Sequence, residues 1–382
     1  MVIGRKIAGW LLRGGIAALA GYCLLVLAAD WFARTRFGAT IDGDWFLLIV
    51  ASGADELRTF WSLYWKGIVL TVVGFAALWA VATYAIWRWP KWAMGVIVAG
   101  AAYLAIGGAE RVSSFKPIYF AWDTCQRFGD YSRLAAAVRQ ERELPRPPLA
   151  ESGRNRLVII GESLTSRRMG VYGYPKDTTP NLARLVKEGR LVVRPERRAA
   201  HPYTARALMD MFFDNEHTQV WRDRHAGFRT VLVSAQDRWE RYCGTEQLLF
   251  DACDARVYIH ESGKPTYDEE LIPAVQKAMS GSDPWVIYVH MLGSHFDPAA
   301  RVPASFAAPI DFDAYDRTVL YTDWVVSQLV SLAPSAEIRF TSDHGESVNA
   351  GRWRDFSDEA LWLVPEIATP GTNEGDTYPS RP

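Results

Sequence analysis

The sequence predicts an α/β domain carried behind a cluster of N-terminal transmembrane helices. Three observations predict it. Long apolar stretches are confined to the first third of the 382 residues. After them, short apolar runs of strand type alternate with helical stretches, the pattern of a largely parallel sheet with helices on both faces. Two strand candidates far apart in the chain, one an apolar run and one alternating, close on acidic residues, Glu162 and Asp343. Ligands of such sheets gather at the carboxyl ends of the strands.

The totals set limits on function. Hydrophobic content of 49% and 16 Trp point to a membrane part. A formal net charge of -1, with no basic tract interleaved with aromatics, argues against nucleic acid as a partner. Four cysteines are too few for a disulfide scaffold.

Residues 14–33 are almost wholly apolar and follow Arg5, Lys6 and Arg13. A bilayer takes about 20 apolar residues to cross. There is no small-x-small cleavage site and further spans follow, so this segment reads as an anchor rather than a cleaved signal peptide. Residues 68–87 form a second span. Residues 92–109 form a third, rich in Gly and Ala as helix-packing faces in membranes are. Arg88 and Lys91 occupy the link between these two, so the N-terminus and this link are cytoplasmic by the positive-inside rule. Three crossings then put the rest of the chain outside. Arg34 and Arg36 fall on the outer side, against that rule. Trp31, Trp61, Trp65, Trp87, Trp89 and Trp92 cluster at the boundaries. Residues 44–64 alternate at roughly helical spacing, with Trp45, Leu48, Leu57, Phe60 and Tyr64 on one face. This is a helix lying at the lipid headgroups, a wall for a lipid substrate, or both.

Residues 1–112 are thus a transmembrane domain. Residues 113–153 are a linker with a helix at 130–143, which Pro145, Pro147 and Pro148 end. Residues 154–382 are the compact domain. Its expected strands are 156–160, 230–234, 285–290, 338–341 and 361–367, with helices at 181–189 and 315–332.

Candidate chemistry lies at the ends of these strands. Leu157-Val158-Ile159-Ile160-Gly161-Glu162-Ser163 is a buried strand closing on a carboxylate, which must be paired, solvated or bound to metal. Thr341-Ser342-Asp343-His344-Gly345-Glu346-Ser347 places an Asp beside a His where a strand ends. Side chains of adjacent strand residues point to opposite faces, so both reach one ion only if the chain turns there, as Gly345 permits. Oxygen and imidazole ligands suit zinc or manganese. Thr204 stands before apolar residues at helical spacing. It is either a helix cap or a nucleophile facing free N–H groups, which a bound divalent metal would activate. Val286-Ile287-Tyr288-Val289-His290 is a third buried strand, with His295 just beyond.

These pieces together resemble a family. Gly161-Glu162-Ser163, Gly173-Tyr174, Asp177-Thr178-Thr179-Pro180-Asn181-Leu182, Thr204 with Met211-Phe212, His290 to His295, and Ser342-Asp343-His344-Gly345-Glu346-Ser347 stand in the same order as in the phosphoethanolamine transferases of Gram-negative inner membranes. Those enzymes are a sulfatase-like branch of the alkaline phosphatase superfamily that includes lipid A modifiers and mobile colistin-resistance enzymes. The resemblance covers about residue 40 onward.

The resemblance implies an alkaline-phosphatase/sulfatase-like α/β/α sandwich in the periplasm of a multi-pass inner-membrane protein. It implies zinc held by Glu162, Thr204, Asp343 and His344, with a second zinc left open. It implies phosphatidylethanolamine as donor, Thr204 as nucleophile, and an envelope acceptor such as lipid A, a core sugar or a glycan. His295 then binds or protonates near the phosphate, with His290, Glu346 and Arg352 as further substrate contacts. Arg352 enters because the family's His after the Asp-His-Gly-Glu motif is missing here. Cys243 and Cys253 resemble a family disulfide. Transfer of phosphoglycerol, phosphodiester hydrolysis and non-catalytic lipid or glycan binding remain alternatives. A sulfatase activity fits less well, since Thr204-Ala205-Arg206 lacks the Cys/Ser-x-Pro-x-Arg pattern.

Overall fold

The computed structural model describes residues 2–37, 39–45, 54–106, 115–145, 147–148, 153–236, 245–260, 265–295, 297–347 and 356–372. The chain forms two units, Met1–Gly129 and Asp130–Pro382.

The first unit holds α1 (Val2–Phe37), α2 (Ala54–Arg88), α3 (Pro90–Ile106) and the start of α4 (Lys116–Glu143). Ile7–Phe37 and Tyr64–Arg88 are long and apolar enough to cross a membrane. Leu70, Val73 and Leu78 on α2 are exposed, as side chains meeting lipid would be. α3 has 17 residues, at the short end of what a span needs, about 17–25.

The expected separate helix at 44–64 is corrected in part. Residues 54–64 are the first turns of α2 itself, because no Gly or Pro interrupts 54–66. Residues 46–53 lie outside the described residues, as do 107–109 of the expected third span. Arg34, which broke the positive-inside pattern, is neutralised on the spot. Its Nε donates to Asp30 at 2.7 Å, and Asp30 also accepts the Ile41 N–H at 2.9 Å.

In the second unit the end of α4 joins the compact domain. Leu134 and Val138 are buried in its core, and Glu141 accepts both the N–H and the hydroxyl of Thr218, at 2.8 and 2.7 Å. The helix expected at 130–143 is therefore the last part of this 28-residue helix.

The strands are β1 (Arg156–Gly161), β2 (Val192–Val193), β3 (Arg197–Arg198), β4 (Arg229–Ser234), β5 (Ala255–Tyr258), β6 (Trp285–His290), β7 (Glu337–Ser342), β8 (Leu363–Val364) and β9 (Glu366–Ala368). Seven of them form one sheet in the order β2-β9-β7-β1-β6-β4-β5. From β7 to β5 the pairing is parallel, and β9 and β2 extend the β7 edge antiparallel. The central strands are buried on both faces, so they read in the sequence as unbroken apolar runs.

One core layer takes Leu157, Ile159, Val233 and Val289 with the inner faces of α5 (Pro180–Lys187) and α10 (Ala314–Leu332). The other takes Val158, Ile160, Leu232 and Tyr288 with α4 and α6 (Thr204–Phe212). The remaining helices are α7 (Gln219–His225), α8 (Thr245–Leu249) and α9 (Leu271–Ala278). This is the α/β/α sandwich that the sequence led us to expect.

The single strand expected at 361–367 is corrected. A helical turn at Glu359–Leu361 precedes two short strands, and β8 pairs with β3 while β9 joins the large sheet. Pro365 between them has no N–H to continue a ladder.

Candidate active site

β1 and β7 are neighbours, and Gly161 pairs with Ser342. Glu162 and Asp343 therefore leave adjacent strands at the same height. The chain bends sharply there. Ser163 adopts φ 54, rare for a residue with a side chain, and is tied in place by three groups. Its N–H donates to Asp343 Oδ1 at 3.1 Å, its carbonyl accepts the Tyr315 hydroxyl at 2.7 Å, and its own hydroxyl donates to Glu162 Oε1 at 2.8 Å. Backbone strain held by this many contacts is characteristic of functional sites.

The turn after β7 needs its glycine. The Gly345 N–H donates to the Leu361 carbonyl at 2.9 Å, and a Cβ on Gly345 would lie 2.0 Å from the Ala360 carbonyl oxygen. The bend brings His344 round to Asp343. His344 Nδ1 lies 2.7 Å from the Gly345 carbonyl, which can only accept, so Nδ1 carries the proton and Nε2 presents its lone pair.

That lone pair faces two carboxylates. His344 Nε2 is 3.4 Å from Asp343 Oδ2 and 3.5 Å from Glu162 Oε1. All three residues are fully buried, and their ligand atoms lie within 4.8 Å of one another. Asp343 Oδ2 and His344 Nε2 have no hydrogen-bond partner among the described residues. Two carboxylate oxygens and one imidazole nitrogen, convergent, with the Asp343 and His344 atoms unpartnered, fit a divalent metal ion.

Thr204 joins them as the first residue of α6. Its hydroxyl lies 3.2 Å from Glu162 Oε1 and 3.1 Å from Oε2. The N–H groups of that first helical turn have no partner inside the helix, so they favour negative charge beside the hydroxyl.

The carboxyls compete for charge. Burial pushes the Glu162 carboxyl up, but His290 first, then His295 and His344, outweigh it and hold the group below the usual carboxylate range. Asp343 moves the other way, raised by burial and by the Glu162 charge. A cation shared by both would relieve that repulsion.

The other expected residues divide. His295 is half-buried in the loop after β6, and Arg301 Nε donates to its carbonyl at 3.1 Å. His290 is turned inward rather than toward solvent. It is 1% exposed, its Nδ1 is hydrogen-bonded to Glu246, and its Nε2 lies 3.7 Å from Glu162 Oε2. Burial lowers the affinity of its ring for a proton, but Glu246 and Glu162 push it back up to about 10. Glu346 is also buried, with Oε1 accepting the Ser347 N–H at 2.8 Å. Arg352 and Cys243 lie outside the described residues, and Cys253 is bonded to no described cysteine.

Two residues escaped the sequence reading. Glu246 follows no apolar strand, so nothing marked it. Asp268 anchors the loop that carries His295, accepting the N–H groups of Leu292 at 2.7 Å and Gly293 at 2.8 Å. Gly293, at φ +53, would place a Cβ 2.6 Å from the Glu162 carbonyl oxygen, so this loop packs directly on the site.

The sulfatase family model matches residues 154–371, more than half of the chain. The chain belongs to the sulfatase family. This sulfatase-family chain is 27% identical over 320 residues to the phosphoethanolamine transferase EptC of Escherichia coli (strain K12), covering 71% of itself and 55% of that protein. It is 27% identical over 226 residues to the Kdo(2)-lipid A phosphoethanolamine 7''-transferase of the same strain, covering 50% of itself and 39% of that protein. It thus spans about half the length of the curated relatives it matches.

Among solved structures it is similar to the periplasmic domain of Escherichia coli EptC in complex with Zn. The TM-score is 0.51 at 25% identity, over 59% of this chain and 77% of that one. The integral membrane phosphoethanolamine transferase EptA of Neisseria meningitidis shares the fold over 92% of this chain and 76% of that one, with a TM-score of 0.56 at 17% identity.

Proposed function

We propose that this chain transfers phosphoethanolamine from phosphatidylethanolamine to a cell-envelope acceptor, a lipid A, core-sugar or glycan hydroxyl. Glu162, Thr204, Asp343 and His344 would hold one zinc ion. The observation that carries the reading is the Thr204 hydroxyl, set against Glu162 at the start of a helix and beside a convergent Glu–Asp–His group. Relatives named as phosphoethanolamine transferases, and a Zn complex of one of them, support it.

Zinc bound there would lower the pKa of the threonine hydroxyl and offset charge on the phosphoryl group. Thr204 Oγ1 attacks phosphorus as its proton passes to solvent, from which one returns when the acceptor displaces it. The Oγ1–P bond forms, the bond from phosphorus to the diacylglycerol oxygen breaks, and diacylglycerol leaves with a proton. The N–H groups of the first turn of α6 face the phosphoryl oxygens. His295 supplies that leaving proton and then takes one from the acceptor hydroxyl. The acceptor oxygen displaces Thr204, whose hydroxyl is restored. We place the catalytic domain outside the inner membrane, on three spans at α1, α2 and α3, so that the donor arrives from the outer leaflet.

The test is the mass of a Thr204 peptide after exposure of the purified protein to phosphatidylethanolamine. We expect a gain of one phosphoethanolamine unit. Thr204→Ala is expected to lower transfer at least about a thousandfold with the fold intact. A phosphoglycerol adduct from phosphatidylglycerol would change the donor. Lipid bound with no adduct, in a chain that turns over nothing, would contradict the enzyme.

A further inference from the structure

We infer that Glu246 is a positioning residue that, through the His290 ring, fixes the Glu162 carboxylate for its metal. The inference rests on the reading of Glu162 as a ligand and adds to it a support from a helix outside the ligand set.

The sheet register prepares the contact. Ser234 and Ile160 both pair with His290, so β4, β6 and β1 end side by side. Val286 and Tyr288 lie in the core layer that faces α6, and strand alternation puts His290 on that face with them. Glu246, from α8, reaches the same place and is 8% exposed. Its two oxygens each lie 3.1 Å from the Ser234 hydroxyl, and one is hydrogen-bonded to His290 Nδ1. A carboxylate only accepts, so Nδ1 carries the proton and the ring plane is set.

The ring then has one nitrogen left. His290 Nε2 has no hydrogen-bond partner among the described residues, and it points at Glu162 Oε2 from 3.7 Å. On its other side Glu162 meets the Ser163 hydroxyl, the Thr204 hydroxyl and His344. A free glutamate side chain has several rotamers, and freezing one costs entropy that its surroundings must offset. Ser234, Glu246 and His290 form the wall that restricts it from the sheet side. Groups that orient a ligand from behind typically govern metal affinity by about 10- to 100-fold.

The test uses the full-length protein in detergent, stripped of metal, with zinc alone as the probe and a chromophoric chelator as competitor. Glu246→Ala is expected to bind zinc about 10- to 100-fold more weakly than wild type. Glu246→Gln, whose amide oxygen still accepts from Nδ1, is expected to stay close to wild type. If Glu246→Ala does not fold, His290→Leu carries the same test with the same expected loss. An affinity within twofold of wild type in the folded Ala or Leu variant overturns the inference. Equal losses in Glu246→Ala and Glu246→Gln also overturn it, since charge and not ring orientation would then be responsible. Wild type and Glu162→Gln run alongside. Zinc binding absent from wild type, or unchanged in Glu162→Gln, defeats the site reading itself, whereas failure of the Glu246 variants alone leaves that site standing.

Discussion

Asp316 and the Glu162–Asp343 pair are all fully buried carboxylates in one domain, and their surroundings are opposite in kind. Asp316, in the first turn of α10, is met by Arg168 at 2.8 Å, Lys176 at 2.7 Å and the Tyr174 hydroxyl at 3.1 Å. Among the described residues, every ion pair of Glu162 and Asp343 is to a histidine. Two acids stand there together, and Asp343 Oδ2 beside them has no hydrogen-bond partner among the described residues. Burying charge costs several kcal/mol per ion unless something neutralises it. At Asp316 the chain supplies the neutralising charge, and the result is structure. At Glu162 and Asp343 it supplies histidines in place of lysine or arginine, and Asp343 Oδ2 and His344 Nε2 stay without a hydrogen-bond partner among the described residues, as the ligands of a metal would be.

Substitutions at the two places separate these roles. The largest expected effect is at the pair: Asp343→Asn or Glu162→Gln should lower transfer at least about a thousandfold. Removing one of two repelling charges should leave the metal-free protein as stable as wild type or more so, measured by denaturant unfolding in chelator. A large loss of metal-free stability would break the comparison.

Next comes Asp316→Ala, which takes from Arg168 and Lys176 the buried carboxylate they share and leaves Arg168 only Asp313 as an acidic partner. It should cost about 3 kcal/mol of stability by the same measurement, while the folded protein keeps its zinc affinity. Asp268 is a third case, held chiefly by two backbone N–H groups, with the Arg301 and His290 charges as smaller contributions. Burial raises its carboxyl to about 6 from 3.8, so the folded state keeps a proton that the unfolded chain has lost. Stability from this group is full below about pH 4 and falls as pH rises to about 6. The advantage of wild type over Asp268→Asn should shrink across that window, by up to about 3 kcal/mol, and stay level above it. An advantage that grew with pH would reverse the assignment.

The same contrast explains what could be read beforehand. Glu162 was legible because it ends an apolar run, where a charged side chain has no ordinary reason to be, and Asp343 and His344 because they stand side by side where an alternating strand ends before a glycine. Thr204 was legible only in company, since a threonine at a helix start is commonly a cap. The central strands were legible because burial on both faces makes them uniformly apolar. The edge strand β5 was not, because Ala255, Arg256 and Val257 are exposed and carry no such signal. Glu246 and Asp268 were not legible either, since each owes its role to segments far along the chain that only the folded sheet brings near. His290 is legible as a strand-end histidine, but that the alternation of β6 sets its ring between Glu246 and Glu162 needs the folded sheet.

The most direct test is a titration of the chelator-stripped, full-length protein with zinc, followed calorimetrically and set beside Asp343→Asn and Lys176→Ala. One equivalent bound by wild type and by Lys176→Ala, and lost in Asp343→Asn, is the predicted result. No zinc bound by wild type, or binding that survives Asp343→Asn, would contradict the account.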